Sequence, residues 1–211
     1  MEADFWDSRY DTDEFIYGTD PNDFVVSVAG DVPGGPVLCL AEGEGRNAAF
    51  FAQRGHRVTA VDASTVGLAK AVRLATARGV VVTTQVADLG SYTIEPGFWS
   101  AIVATWAHLP PELRRRVHRQ AVAGLRPGGV FILEAYTPGQ LALGTGGPRD
   151  RQLLMTLEAL RSELTGLEFL VGRECERDVS EGSAHKGRSS VVQVCARRGN
   201  LAAASPQRGR D

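Results

Sequence analysis

Residues 37–64, VLCLAEGEGRNAAFFAQRGHRVTAVDAS, leave the chain few architectures to choose from. VLCLA is a short apolar run between Gly/Pro punctuation, the pattern of a strand buried on both faces. It runs straight into a Gly-rich turn. RNAAFFAQR then reads as a helix and stops at Gly55. VTAV follows as a second buried strand and closes on Asp62. A strand, a crossing helix and another strand pack as parallel neighbours through a right-handed crossover. The helices must cover both faces of such a sheet. Ligands of open α/β sheets bind beyond the carboxyl ends of the strands.

The rest of the chain continues the alternation. Ser64 is placed to cap a helix through Arg78, with Leu68, Ala71, Val72 and Ala75 on one face and Gly79 past its end. Val80–Val86, Ala101–Thr105 and Val130–Tyr136 read as further strands. Pro110-Pro111 opens a helix to about Leu125, which RPGG stops. After the loop TPGQLALGTGGPRD, a helix is expected near Gln152–Leu164. Two β-like runs, Leu167–Val179 and Arg188–Arg197, then form an antiparallel hairpin on the sheet edge. The expected fold is α/β and Rossmann-like: a doubly wound, mostly parallel seven-stranded sheet with a C-terminal antiparallel edge hairpin. Residues 1–24 are expected to form an N-terminal lid arm, 25–198 the catalytic domain, and 199–211 a disordered tail.

Composition narrows the function classes. The 211 residues carry 23 Lys plus Arg against 25 Asp plus Glu, a net charge of −2, which lacks the footprint of a nucleic-acid binder. No apolar run approaches the ~20 residues that span a bilayer. The acidic start has no signal-peptide pattern, so a cytoplasmic protein is expected. Cys39, Cys175 and Cys195 are too widely spaced for a zinc site, and no metal is expected. The expected partner is a small-molecule substrate bound by a monomer or homodimer, with neither nucleic acid nor membrane.

The turn after the first strand is the candidate cofactor site. Gly43-x-Gly45-x-x-Ala48 has the spacing of a dinucleotide fingerprint. Asp62 follows Gly43 by 19 residues, where a carboxylate can accept from both ribose hydroxyls of an adenosine. A nicotinamide dinucleotide and S-adenosylmethionine both fit this much. Four features favour the second. Asp88, in Ala87-Asp88-Leu89, can receive an adenine amino group. LRPGG precedes the fifth strand. An edge hairpin closes the chain in place of a second substrate domain. Trp6 to Phe24 precedes the first strand as a possible lid.

With these motifs the sequence resembles the class I S-adenosylmethionine-dependent methyltransferases, in particular the small bacterial subgroup related to tellurite-resistance and thiopurine methyltransferases. The matching segments are FWDSRY…EFIYGTDPNDF, VLCLAEGEGRNAAFFA, VTAVDAS, VADL, LRPGG and EAYTPGQ…GTGGPRD. The resemblance implies S-adenosylmethionine as cofactor, held by Ala41, Glu42, Gly43, Arg46, Asp62, Ala63, Asp88, Leu89 and Thr105. It also implies an arm carrying Trp6 and Tyr17 that folds over the cofactor. The first loop departs from the family pattern, with Cys39 in the usual acidic place and Ala41 for the first glycine. Glu42 is therefore expected to supply the carboxylate for the cofactor's ammonium.

Three residues are candidates for catalysis. His108 follows the fourth strand at the carboxyl edge. His185 and Arg188 lie between the hairpin strands and, with Arg149, suit an anionic substrate. The expected reaction is methyl transfer to a small nucleophile, foremost a thiol or a chalcogen oxyanion. The alternatives are an NAD(P)-dependent oxidoreductase and a non-catalytic S-adenosylmethionine-binding protein.

Overall fold

The computed structural model describes residues 3–199. Its centre is a seven-stranded sheet in the order β3-β2-β1-β4-β5-β7-β6. The strands are β1 (Pro36–Leu40), β2 (Arg57–Asp62), β3 (Thr83–Val86), β4 (Trp99–Thr105), β5 (Leu125–Tyr136), β6 (Leu167–Glu181) and β7 (His185–Arg198). β1 to β5 pair in parallel, and β7 runs antiparallel between β5 and β6. This is the expected doubly wound sheet with an antiparallel hairpin at its edge. The order reverses direction at β1, so the crevice between the ends of β1 and β4 is the natural ligand site.

Seven α-helices are present among the described residues: α1 (Ala3–Tyr10), α2 (Asp23–Val28), α3 (Arg46–Gln53), α4 (Thr65–Ala77), α5 (Pro111–Gly124), α6 (Gln140–Leu143) and α7 (Leu157–Glu163). The period-2 pleat divides the core into two layers. Leu38, Leu40, Ile102, Phe131 and Leu133 pack with Val117, Ala121, Leu160 and Leu164 of α5 and α7. Val37, Cys39, Val103 and Ile132 pack on the other face with Val25, Phe51 and Leu68 of α2, α3 and α4. A strand with helices on both sides has no solvent face, which explains the unbroken apolar run of β1.

Several boundaries differ from the sequence expectation. The third strand begins at Thr83 rather than Val80. RPGG does not form a loop: α5 passes directly into β5 at Leu125, with a register shift against Trp99/Ala101. The helix expected over 152–164 is divided, because Thr156 caps a fresh start by accepting from the Ala159 N–H. The hairpin strands are longer than expected and reach Glu181 and His185, leaving a turn of only three residues. His185 is thereby fixed on a strand. Helix α2 runs across residue 24, where the arm was expected to end. The expected disordered tail lies, apart from Gly199, outside the described residues.

Candidate active site

A cavity of about 540 Å³ opens at the carboxyl edge of β1, β2 and β4, a volume in the range of small-molecule sites. Trp6, Tyr17, Ala41, Arg46, Asp62, Ala63, Asp88, Leu89, Thr105, His108 and His185 all line it. Most of the sequence candidates are thus brought together. Glu42, Gly43 and Arg188 are not in the lining.

The reason differs for each. Glu42 turns under the loop, where its Oε1 accepts from the Ala48 N–H of α3 at 2.8 Å. Burial pushes its carboxyl up to about 7. The expectation that it faces a cofactor ammonium is therefore corrected: it holds the N-terminus of α3. Gly43 adopts φ +59°, and a Cβ there would stand 2.4 Å from the Tyr10 hydroxyl. Its glycine is required by the arm packing onto the loop. Arg188 is half-exposed and pairs with Glu176 at 3.1 Å. Arg149 and Lys186 are likewise exposed and stand outside the lining. The expected basic rim is not part of the cavity.

Two carboxylates stand on one side of the cavity. Asp62 is buried at the end of β2 and accepts from the Gly43 and Ser64 N–H groups, both at 2.8 Å. Burial raises its carboxyl above the ordinary aspartate range, and these donors offset part of the rise. Each oxygen keeps a second lone pair. Asp88 accepts from the Gly90 N–H at 2.7 Å and is exposed toward the cavity mouth. Ala41, at the end of β1, and Trp106, just past β4, have φ of 49° and 58° without being glycine. Such strain gathers at ligand sites.

Arg46 explains why a positive charge stands at the first residue of a helix. Its NH2 bonds the buried Glu181 carboxylate at 2.5 Å, while its NH1 is buried and makes no hydrogen bond. A buried guanidinium edge without an acceptor is costly unless a ligand completes it. An anionic group entering this cavity, such as the carboxylate of S-adenosylmethionine, fits that edge.

The far side of the cavity is aromatic. His185 is enclosed by Tyr17, Trp106 and Tyr136, with ring centroids at 4.6, 4.8 and 5.7 Å. Burial lowers the His185 pKa, and neighbouring Glu181 opposes the shift. The Tyr136 hydroxyl is buried without a hydrogen bond, and burial pushes its pKa up to about 12, so it stays a donor. His108 differs from His185. Its Nδ1 lies 2.9 Å from the Leu153 carbonyl, and its Nε2 accepts from the Tyr136 N–H at 3.3 Å. Burial lowers it to about 4. Both ring nitrogens are engaged with backbone, so His108, a catalytic candidate in the sequence, is not placed to accept a substrate proton. It ties the segment after β4 to the end of β5.

Beneath the cavity lies a polar cluster that sequence reasoning missed. Glu134 of β5 receives Arg177 on both oxygens, at 2.9 and 2.7 Å, and Gln193 at 2.6 Å. Asn22 donates to Glu134 and to Glu181, and its N–H bonds Asn47, which in turn donates to Thr105. Glu181 also accepts the Trp106 indole N–H at 2.8 Å. In the sequence these charges look like the solvent face of an edge strand; only the partners arriving from distant elements show otherwise.

The arm is clasped from α4. The buried Lys70 pairs with Glu44 at 2.6 Å and donates to the carbonyls of Tyr10, Thr12 and Glu14. Glu44 also accepts the N–H groups of Ile16 and Tyr17. Among the described residues, no group of His, Cys, Asp and Glu is arranged to hold a metal ion, and no helix is long and apolar enough to cross a membrane.

Comparison with known proteins agrees with this geometry. Residues 37–129 match the family model of a methyltransferase domain. The matched segment, under half of the chain, is similar to a methyltransferase domain. S-adenosylmethionine is the cofactor that goes with it. A 2-heptyl-1-hydroxyquinolin-4(1H)-one methyltransferase of Mycobacteroides abscessus is 31% identical over 117 residues, covering 54% of this chain. The chain spans about half, 52%, of that relative's length. Among solved structures, one from work on the conversion of a disulfide bond into a thioacetal group during echinomycin biosynthesis superposes with a TM-score of 0.75. It is 19% identical, and the match covers 95% of this chain and 94% of that one. TehB from Haemophilus influenzae gives a TM-score of 0.70 at 19% identity, covering 93% and 66% of the two chains. The magnesium protoporphyrin IX methyltransferase of Synechocystis, solved with S-adenosylhomocysteine, gives 0.67 at 18% identity, covering 93% and 97%. At these identities the likeness is one of fold.

Proposed function

We propose that the protein transfers the methyl group of S-adenosylmethionine to an oxygen or sulfur nucleophile on a planar, largely apolar small molecule. The observation that carries this reading is the two-sided cavity: Asp62, Asp88 and the open edge of Arg46 on one side, and the aromatic box of Tyr17, Trp106 and Tyr136 around His185 on the other. The similarity to a hydroxyquinolone methyltransferase supports the same substrate class. A small chalcogen oxyanion has less support, because Arg149, Lys186 and Arg188 stand outside the cavity.

When bound, the cofactor supplies a methyl carbon on a sulfonium sulfur, which keeps the C–S electron pair as the nucleophile bonds the carbon. The chain's own groups do the rest. Asp62 accepts from the ribose hydroxyls and Asp88 from the adenine amino group. Ala63 and Leu89 flank the base. Ala41 and Thr105 border the passage to the methyl, and Trp6 and Tyr17 exclude water from above. His185, kept neutral by burial, takes the proton of the nucleophile, and Tyr136 donates a hydrogen bond to the substrate.

The test is turnover of labelled S-adenosylmethionine against a panel of hydroxylated and thiolated aromatic heterocycles, alkyl thiols, tellurite and selenite. Aromatic acceptors should be methylated with the highest kcat/KM. Methylation confined to the oxyanions would overturn the substrate class.

A further inference from the structure

The two sides of the cavity meet at one buried carboxylate. Glu181 stands at the end of β6, with its side chain 5% exposed. Its Oε2 accepts from Arg46 at 2.5 Å and from the Trp106 indole at 2.8 Å, and its Oε1 accepts from Asn22 at 2.8 Å and Arg177 at 3.1 Å. Across the hairpin its register partner is His185. The His185 Nδ1 lies 3.7 Å from Glu181 Oε2, beyond hydrogen-bond reach, and is buried without any other partner.

We propose that Glu181 is a positioning residue joining the cofactor side of the site to the substrate side: it fixes the Arg46 guanidinium and orients His185 with Nδ1–H toward itself and Nε2 toward the substrate. This inference rests on the proton-accepting role given above to His185.

Three arguments support it. A neutral imidazole carries one N–H, and the acceptor nearest a ring nitrogen decides which nitrogen holds it. Tyr17, Trp106 and Tyr136 present ring faces and edges to His185, so Glu181 is the carboxylate available to it. The remaining charged or titratable groups around the ring are Arg46 of α3, Arg9 of α1 and His108 after β4, while Arg177 of β6 reaches it only through Glu181. None of them accepts a proton from Nδ1 in this arrangement.

Second, the buried cluster balances two guanidinium groups, Arg46 and Arg177, against two carboxylates, Glu134 and Glu181. A neutral His185 completes that balance. Third, hydrogen bonds of catalytic groups are often long without substrate and shorten once it is bound.

The decisive experiment is long-range ¹H–¹⁵N NMR of the histidine rings in the full chain, alone and with S-adenosylhomocysteine. The His185→Gln spectrum assigns the signal. At a pH where the ring is neutral, His185 should be the Nδ1–H tautomer in both states. An Nε2–H tautomer overturns the proposal, and this reading requires no variant at Glu181. Glu181→Gln removes the charge and should weaken S-adenosylhomocysteine binding at least tenfold. It should also move the midpoint of the pH rise in kcat/KM to lower pH, since an anion that raised the His185 pKa is gone. Glu181→Asp should return that midpoint toward wild type. An unmoved midpoint in a folded Glu181→Gln protein counts against the proposal. His185→Gln with wild-type kcat/KM would instead overturn the proton-acceptor reading and leave the tautomer result to judge Glu181.

Discussion

Asp62 does two jobs with one carboxylate. Its oxygens hold the Gly43 and Ser64 N–H groups, which fixes the loop after β1 to the start of α4. The same carboxylate lines the cavity. Replacing Asp62 with Ala leaves those donors and the proposed ribose hydroxyls without an acceptor. Hydrogen bonds to a charged group are worth about 1.5–3 kcal/mol each. S-adenosylhomocysteine should therefore bind roughly 10- to 100-fold more weakly to Asp62→Ala. Isothermal calorimetry giving the wild-type affinity would remove the adenosine from this end of the cavity. At the same scale, His108 and His185 show why a histidine's role cannot be taken from position alone. Both follow strands at the carboxyl edge or line its mouth, yet one is locked by two backbone groups and the other has a free ring nitrogen.

At the scale of elements, the arm is held by an ion pair rather than by apolar packing alone. Lys70 projects from α4 and gathers three arm carbonyls together with Glu44. Lys70→Met keeps the length of the side chain and removes the charge. Breaking a buried pair costs about 3–5 kcal/mol, but release of the arm limits how much the sheet feels. Hydrogen exchange should show the amides of residues 3–17 losing protection while those of β1 and β4 keep theirs. Equal protection of the arm in wild type and variant would mean that the clasp is dispensable. A second clasp joins α5 to α7. Glu163 is held by Arg114 and by His118, which lies 2.7 Å away. Burial opposes its ionisation, but these two partners bring its carboxyl down to about 2 from an ordinary value of 4.5. A depressed carboxylate contributes its full stability above the unfolded value and loses it as pH falls through the folded one. The acid-induced fall in stability between about pH 4.5 and 2 should thus be shallower in Glu163→Gln than in wild type. Parallel curves by urea titration would show that this pair carries no proton linkage. The elements were largely legible in the sequence because β1, β2 and β4 are apolar on both faces, and Gly55 and Gly79 mark the helix ends. The two cavity carboxylates were legible for a related reason: Asp62 and Asp88 follow strands at the carboxyl edge, where local pattern and position coincide. Glu181, Arg177, Glu134 and Asn22 were not, because their partners come from elements up to 159 residues apart.

For the molecule as a whole, the N-terminal arm and the C-terminal hairpin meet at the site. The turn after β6 donates the Ala184 N–H to the Ile16 carbonyl at 3.0 Å, so the C-terminal hairpin and the N-terminal arm meet over the cavity. A Cβ on Gly182 would come within 2.3 Å of that carbonyl, which shows how close the two backbones run. Tyr17 is set against His185 by this contact. A ligand bound beneath must therefore stabilise arm, sheet and hairpin together. A ligand at a hundredfold excess over its Kd adds about 2.7 kcal/mol to the folded state. For a chain of this size each kcal/mol moves Tm by about 2–4 °C. S-adenosylhomocysteine at that concentration should raise Tm by about 5–10 °C in one cooperative transition. NAD and NADP at the same concentration should leave it in place, since a pyrophosphate and second nucleotide would have to enter the aromatic box around His185. A rise with NAD and none with S-adenosylhomocysteine would reverse the choice between the two adenosine cofactors that the glycine loop alone leaves open.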